Sequence, residues 1–340
     1  MRDFFSFQWH ITDECDQRCK HCYIFNKDPD DLITTSKDDL EYIFNNCMNM
    51  CNMVNRNPFF YVTGGDPILH PNFWDLIELF KENNVLFGLM GNPFHLTADV
   101  CRKLKDAGCL VYQLSLDGLK QTHDYFRMPG SYKITLEKIK LLKEAGIKVN
   151  IMTTVSKVNM DEIPELIDVV VENGVDTYSF ARYCPNGYEE NSHMTPEEYH
   201  NFLKKCWDKY QQHKDAHTHF DLKDHLWTLF FYEKGMFNIP EDLNEDTIYD
   251  GCNCANSHIT ILPNGDVYAC RRMDSCVGNI YDENIISLFM SKKMDEYRKY
   301  EKFEKCSKCE LLRFCRGCPA VAYGYNNSMY ASDPQCWKKV

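Results

Sequence analysis

The chain reads as an α/β protein: a partial barrel of six strand–helix units, followed by a small cysteine-rich domain. Three observations carry this. From residue 4 to about 181, short apolar runs alternate six times with amphipathic stretches, the pattern of parallel βα units. At about residue 250 the character changes, and the last 90 residues hold nine of the 18 cysteines together with Gly/Pro turns. The loop after the first strand carries Cys15, Cys19 and Cys22 in the spacing CxxxCxxC.

The strands are expected in FFSFQWHI, FFYVTGG, VLFGLMGN, LVYQLSLDG, VNIMTTV and TYSFARY, and the helices over 36–54, 72–83, 97–107, 132–145, 161–173 and 195–213. Six units are too few to close the eight-stranded TIM barrel, so an open, TIM-like (β/α)6 arrangement is expected. The last helix is well signed: Thr195 is a good N-cap, Pro196 suits the first helical position, and Glu198 completes a capping box. Its apolar stripe (Tyr199, Phe202, Leu203, Cys206, Tyr210) makes Cys206 a core residue. Cys47 and Cys51 share a face with Leu40, Ile43, Phe44 and Met48; Cys101 lies with Val100, Leu104 and Ala107. Cys109 begins a strand. These five thiols read as packing.

The stretch FDLKDHLWTLFFYEKGMFNIPEDLNEDTIYD reads as a polar, aromatic-rich connection, and HITILPNGDVYAC as a hairpin turning at Asn264-Gly265. The domains expected are 1–225, a linker over 226–250, and 251–340. The cysteine-rich part cannot rely on an apolar core of its own, so bound metal should help to fold it.

Charge narrows the partners. Lys and Arg total 38 against 50 Asp and Glu, a net charge of −12, which argues against a nucleic-acid binder or a polybasic membrane anchor. No window offers about 20 uninterrupted apolar residues, and the first residues lack the pattern of a signal peptide. A cytoplasmic protein is expected, with no membrane partner; its thiols stay reduced, and metal or catalysis explains them better than disulfides.

The reactive ends of βα units are the loops after the strands. The cysteine loop WHITDECDQRCKHCYIF follows the first strand, Gly64, Gly65 and Asp66 follow the second, Ser115 and Asp117 mark the end of the fourth, and Arg182 that of the sixth. Three thiolates on a short loop can hold three irons of a four-iron cluster and leave one iron open. An incomplete zinc site has the same spacing, but structural zinc sites draw four ligands from two CxxC-like halves, and no fourth Cys or paired His follows nearby. The position after a first strand favours the cluster.

On these residues the loop resembles the cluster-binding loop of radical SAM enzymes. The resemblance implies a [4Fe-4S] cluster on Cys15, Cys19 and Cys22 whose open iron is chelated by S-adenosylmethionine. Reductive cleavage then gives a 5′-deoxyadenosyl radical that abstracts hydrogen from substrate, with electrons from a flavodoxin- or ferredoxin-type reductant. YVTGGDP resembles the family's GGE motif: Gly64 and Gly65 would admit the methionyl end, and Asp66, shorter than the usual Glu, would bind its amino group. QLSLDG resembles the fourth-strand motif, with Ser115 facing the cofactor and Asp117 at the ribose region. HDYFRMPGS supplies Arg127, matching an arginine that meets the cofactor's carboxylate. Asn92 and Arg182 would point into the barrel as cofactor contacts or satisfy backbone groups there. His21, between two ligands, is a hydrogen-bond partner near the cluster or an ordinary loop residue. Cys184, in ARYCPNGYEE, is a candidate catalytic proton or hydrogen donor, or else inert packing.

In the C-terminal region Cys254 stands eleven residues before Gly265 and Cys270 five after it; KCSKCELLRFCRGC then gives Cys306, Cys309, Cys315 and Cys318, and Cys336 closes. This resembles a SPASM domain, except that two residues rather than three separate Cys315 from Cys318. By that family's connectivity Cys306, Cys309, Cys315 and Cys336 hold an outer auxiliary cluster, and Cys252, Cys254, Cys270 and Cys318 an inner one, both expected as [4Fe-4S]. Cys276 is an alternative to Cys252, and an open iron or a two-iron site stays open for the inner centre. A pair of zinc ribbons is the other reading of these knuckles, since soft thiolates suit both; the upstream loop favours iron–sulfur.

Relatives of this build mostly modify ribosomally made peptides. The opening FQWHITDECDQRCKHCYIF is similar to a small group paired with cysteine-rich precursors containing Ala-Cys-Gly repeats, which implies thioether crosslinking of a cysteine-containing precursor peptide. The alternatives are sulfatase-maturase-like oxidation of Cys or Ser to formylglycine, and a non-catalytic iron–sulfur electron-transfer protein. With the cluster loop starting at residue 15, no room is expected for a winged precursor-binding domain. The peptide would bind the barrel directly or arrive with a separate carrier.

Overall fold

The structure, a computed structural model, describes residues 3–24, 31–185, 192–244 and 247–340. Phe25 of the cysteine stretch, residues 186–190 of the stretch after the sixth strand and residues 245–246 of the connection lie outside the described residues.

The alternation is present in the expected order: β1 (Phe4–His10), α1 (Lys37–Met53), β2 (Asn57–Thr63), α2 (Phe73–Glu82), β3 (Phe87–Met90), α3 (Ala98–Asp106), β4 (Cys109–Ser115), α4 (Lys120–Phe126), α5 (Ser131–Glu144), β5 (Lys148–Val155), α6 (Ile163–Glu172), β6 (Thr177–Arg182) and α7 (Pro196–Gln212). Then come β7 (His219–Asp221), α8 (Leu226–Glu233), β8 (His258–Ile261), β9 (Asp266–Tyr268), β10 (Cys276–Asn279), α9 (Ile285–Phe289), α10 (Lys292–Glu296) and α11 (Pro319–Asn326). Side-chain caps set several starts. Ser36 accepts from Asp39 N before α1, Thr97 from Val100 N before α3, and Thr195 and Glu198 form the expected reciprocal box before α7.

The chain forms two compact units. The first comprises the residues up to Leu116, His123–Ile151 and Cys254–Arg298; the second comprises Asp117–Thr122, Met152–Asn253 and Lys299–Val340. β5 runs from the one into the other. In the first unit β1, β2, β3 and β4 pair in parallel. On its other side β1 pairs in parallel with β8, Phe7 opposite Ile259, and β9 and β10 continue antiparallel. The hairpin of the cysteine-rich region is therefore an extension of the first unit's own sheet. Gly265, at φ +83°, makes its turn, a conformation that costs glycine nothing.

The core of the first unit is an aromatic stack. Phe7 lies 5.2 Å from Phe60, Phe60 5.1 Å from Phe80, and Phe80 5.1 Å from Phe87. Each buried phenylalanine contributes roughly 2–3 kcal/mol. Cys47, Cys51, Cys101 and Cys109 are buried there, and Cys206 in the second unit; burial pushes these thiols up, as packing cysteines require.

In the second unit β6 and β7 pair in parallel under α7 and α8. Tyr210 stacks on Phe220 at 4.2 Å, and Phe180 meets Phe202 at 5.1 Å. The stretch read as a connection thus contains β7 and α8. With Leu226, Trp227, Leu229 and Phe230 buried, α8 is apolar nearly all round and shows no stripe for periodicity to detect.

Candidate functional site

The cysteine loop is built against the turn after β2, backbone to backbone. Gly65 N donates to Thr12 O at 2.8 Å and Asp66 N to Glu14 O at 2.7 Å. A Cβ on Gly64 or Gly65 would collide with the carbonyls of Thr12 and Glu14 respectively. Both glycines are required by this loop-to-loop packing.

The loop is also tied to α4 and α5. Lys20 N donates to Phe126 O at 2.8 Å, and Gln17 Nε2 to Ser131 Oγ at 3.1 Å. His21 packs edge-on against Phe126, 5.1 Å between centroids. Donors face the three sulfurs: Asn92 Nδ2 is 3.8 Å from Cys15 Sγ, Arg127 Nη1 3.6 Å from Cys19 Sγ, and Ile24 N 3.4 Å from Cys22 Sγ. Burial pushes the Cys15 thiol up to about 12. Half-buried thiols, each faced by an N–H donor, suit thiolates bound to metal, which supplies the missing charge. The donor set fits an iron–sulfur cluster.

Of the residues expected at the cofactor, the structure brings Gly64, Gly65, Asp66, Asn92 and Arg127 to this loop. Asn92 also donates to Asp16 Oδ1 at 2.5 Å. Asp66 is fully buried, and its Oδ2 has no hydrogen-bond partner; burial raises its carboxyl from 3.8 to about 7. Such an orphaned acceptor fits a site completed by a bound cationic group. Ser115 is the last residue of β4, half-buried. Asp117 belongs to the second unit, where its Oδ1 accepts from Thr154 N at 2.9 Å and its carbonyl from Asn159 Nδ2 at 2.9 Å.

Arg182 goes elsewhere than the cofactor contact expected of it. At 2% exposure it donates through Nε to Asp224 Oδ2 at 2.8 Å, through Nη1 to Asp333 Oδ1 at 2.6 Å and Gln335 Oε1 at 2.8 Å, and through Nη2 to Asp333 Oδ2 at 2.8 Å. A buried guanidinium needs such carboxylates, because an unpaired one is prohibitively costly. Cys184 follows on the same segment, half-buried, its Sγ 4.0 Å from Arg182 O.

In the second unit Cys306, Cys309, Cys315 and Cys336 line one cavity, with Lys305 and Asp333 at its wall. Burial pushes Cys306 up to about 12 and raises Cys315 and Cys336. Gly317 N lies 3.4 Å from Cys315 Sγ, and Lys305 Nζ donates to Cys336 O at 3.0 Å. Four thiols converging on one cavity fit a cluster. The shortened Cys315–Cys318 spacing is taken up by Arg316 and Gly317, both left-handed at φ +70° and +59°, and Cys318 N is held by Asp333 Oδ2 at 2.8 Å. The half-buried His225 ring hydrogen-bonds Cys252 and lies close to Cys318; desolvation, the largest influence, opposes these contacts, and the net effect raises its pKa.

In the first unit the backbone of Cys254 pairs with that of His258 in an isolated parallel β-bridge, and Cys270 N donates to Ser275 Oγ at 2.9 Å. Cys276 sits exposed on β10, its Sγ 3.6 Å from Gly278 O. Residue patterns missed Asp16, His95, His225 and Asp333. Asp16 alone carried a signal, an acid between two cysteine ligands. No helix among the described residues is long and apolar enough to cross a membrane.

Residues 9–170 match the family model of the Radical SAM superfamily, and residues 252–310 that of the SPASM iron-sulfur cluster-binding domain. Over 338 residues the chain is 24% identical to an AdoMet-dependent heme synthase of Methanosarcina barkeri, spanning 96% of this chain and 95% of that one. Its fold is similar to that of Streptococcus suis SuiB bound to precursor peptide SuiA, at a TM-score of 0.77 and 20% identity, over 99% of this chain and 77% of that one. It is likewise similar to anSMEcpe with bound AdoMet and Cp18Cys peptide, at a TM-score of 0.76 and 20% identity, over 98% and 94% of the two chains.

Proposed function

From the premise that this chain is a radical SAM enzyme with a SPASM domain, using S-adenosylmethionine and iron–sulfur clusters, we propose that it is a maturase of a cysteine-containing peptide that forms a thioether crosslink. The observation that carries the reading is the pairing of a three-thiol loop with a separate four-thiol cavity. A fold shared along nearly its whole length with two proteins solved with peptides supports the substrate class.

On this reading Cys15, Cys19 and Cys22 hold the radical-site cluster, Cys306, Cys309, Cys315 and Cys336 the outer auxiliary one, and Cys252, Cys254, Cys270 and Cys318 the inner one. The exposure of Cys276 supports Cys252 in that set. When bound, these groups and S-adenosylmethionine supply electrons, a hydrogen-abstracting adenosyl radical and an electron acceptor. The chain's own residues orient and shield. Asn92 and Arg127 fix the sulfurs of Cys15 and Cys19 by hydrogen bonds. Gly64 and Gly65 lock the turn bearing Asp66 onto the loop, Asp66 binds the cofactor's amino group, and Ser115 and Asp117 shape the nucleoside end. Arg182 positions Asp224 and Asp333. Cys184 is assigned to touch the substrate, a role that Cys184→Ala tests by loss of product with cofactor cleavage retained. A flavodoxin- or ferredoxin-type protein is the proposed reductant.

A second reading has one observation in its favour, the 24% identity with a heme synthase along almost the whole of both chains. It makes the substrate a tetrapyrrole. The test is anaerobic reconstitution with iron counting, then reduction with S-adenosylmethionine in the presence of either substrate class. About twelve irons, 5′-deoxyadenosine, and a peptide lighter by two hydrogens with one thiol blocked are expected. Oxidation of one Cys to formylglycine replaces the crosslink by the alternative chemistry, turnover of a tetrapyrrole replaces the peptide, and zinc without 5′-deoxyadenosine sinks the whole reading.

A further inference from the structure

A pair of carboxylates beside the cysteine loop calls for a cation. Asp16, Asp66 and His95 each bring one oxygen or nitrogen to within 4.8 Å of the others. Asp66 is fully buried, with Oδ2 unpartnered and Oδ1 3.5 Å from Ile68 N. Asp16 is held from its other side: Asn92 Nδ2 donates to Oδ1 at 2.5 Å, and His95 Nε2 lies 2.8 Å from Oδ2. Each carboxylate oxygen has two lone pairs, so Asp16 keeps acceptor capacity. Two acids so close repel unless a positive group sits between them, and a bare buried oxygen is costly until a donor completes it.

The enzyme's cofactor carries one compact group of that description, a primary ammonium with three N–H donors. Resting on the reading of this loop as the S-adenosylmethionine site, we propose that Asp16 and Asp66 together bind the ammonium of the cofactor's methionine end. His95 is the positioning residue that holds Asp16 toward it. Asp66 is one methylene shorter than the Glu expected at its position, and the second carboxylate, brought in by the cluster loop itself, makes up the lost reach. The ammonium then has two acceptors from two loops that are locked together by Gly64 and Gly65.

The test is equilibrium binding to the anaerobically reconstituted full chain of two ligands: S-adenosylhomocysteine, which keeps the ammonium, and 5′-methylthioadenosine, which lacks it. A charge-assisted hydrogen bond is worth about tenfold or more in affinity. Asp16→Asn should weaken S-adenosylhomocysteine by about that factor and leave 5′-methylthioadenosine unchanged. His95→Ala should give a smaller loss with the same selectivity, and His95→Gln, which keeps a donor, should recover it. Equal weakening of both ligands by Asp16→Asn overturns the assignment, because it reports a disturbed loop. Unchanged S-adenosylhomocysteine binding overturns it while leaving the cofactor site standing. Mn2+ that competes with S-adenosylhomocysteine in the wild type and not in Asp16→Asn makes the pair a metal site and also overturns it. If the wild type binds neither ligand, the cofactor reading falls and this assignment with it.

Discussion

Asp66 shows at the scale of one residue how a buried acid is kept at the expense of stability. Burial, the largest influence, raises its carboxyl from 3.8 to about 7, so the folded, cofactor-free chain holds this proton more tightly than the unfolded one. For a raised pKa the associated stability is full below about 4 and is lost as pH climbs through about 7. The loss approaches about 4 kcal/mol by pH 8. Asp66→Asn removes the titration. Urea unfolding at pH 5 and pH 8 should show the wild type losing more stability than the variant, and the variant the more stable at pH 8. Identical pH dependence in the two proteins would show that Asp66 is not the buried acid described. The spacing of Cys15, Cys19 and Cys22 and the GGD turn were legible because each motif is contiguous. The pairing of Asp16 with His95 was not, because the two stand 79 positions apart and meet only through the fold.

At the scale of elements, the end of β6 is fastened to the C-terminal segment of the same unit by the Arg182 network. Asp224 precedes α8, Asp333 and Gln335 precede Cys336, and Gln335 Nε2 reaches Met194 O at 3.2 Å. Asp333 uses Oδ2 twice, for Arg182 and for the backbone N–H of Cys318. Arg182→Met leaves two buried carboxylates without their cation, at a cost of about 3–5 kcal/mol. Chemical denaturation should show a loss of that size, and auxiliary iron should fall while S-adenosylhomocysteine binding persists. If that binding is lost at full stability, Arg182 is a cofactor contact after all. Such a network is invisible in sequence because its members come from three distant segments, whereas the α7 capping box was legible within four residues. α4 and α8 were missed for opposite reasons: α4 has only seven residues, and α8 is apolar on nearly every face.

For the molecule as a whole, the question is which parts need metal to fold. Within the first unit the aromatic stack of Phe7, Phe60, Phe80 and Phe87 and four parallel strands form a core with no metal ligand in it. The Asn-Gly turn foretold the hairpin of β8 and β9, but its parallel seat on β1 is a long-range pairing with no local signature. In the second unit the segment from Lys299 to Cys318 contains two single-turn 3-10 helices, Tyr300–Lys302 and Cys306–Lys308, and three of its thiols, Cys306, Cys309 and Cys315, line one cavity. There, metal binding should be folding free energy. Removing iron with a chelator under anaerobic conditions should therefore act unevenly. Hydrogen exchange should accelerate strongly over 299–318 and 333–340 and locally around Cys15–Cys22, while amides in β1 to β4 keep their protection. Uniform acceleration through those strands would mean that the core of the first unit depends on metal too. No acceleration over 299–318 would mean that side-chain packing alone holds the four thiols together, and the outer cavity would then lose its claim to a structural cluster.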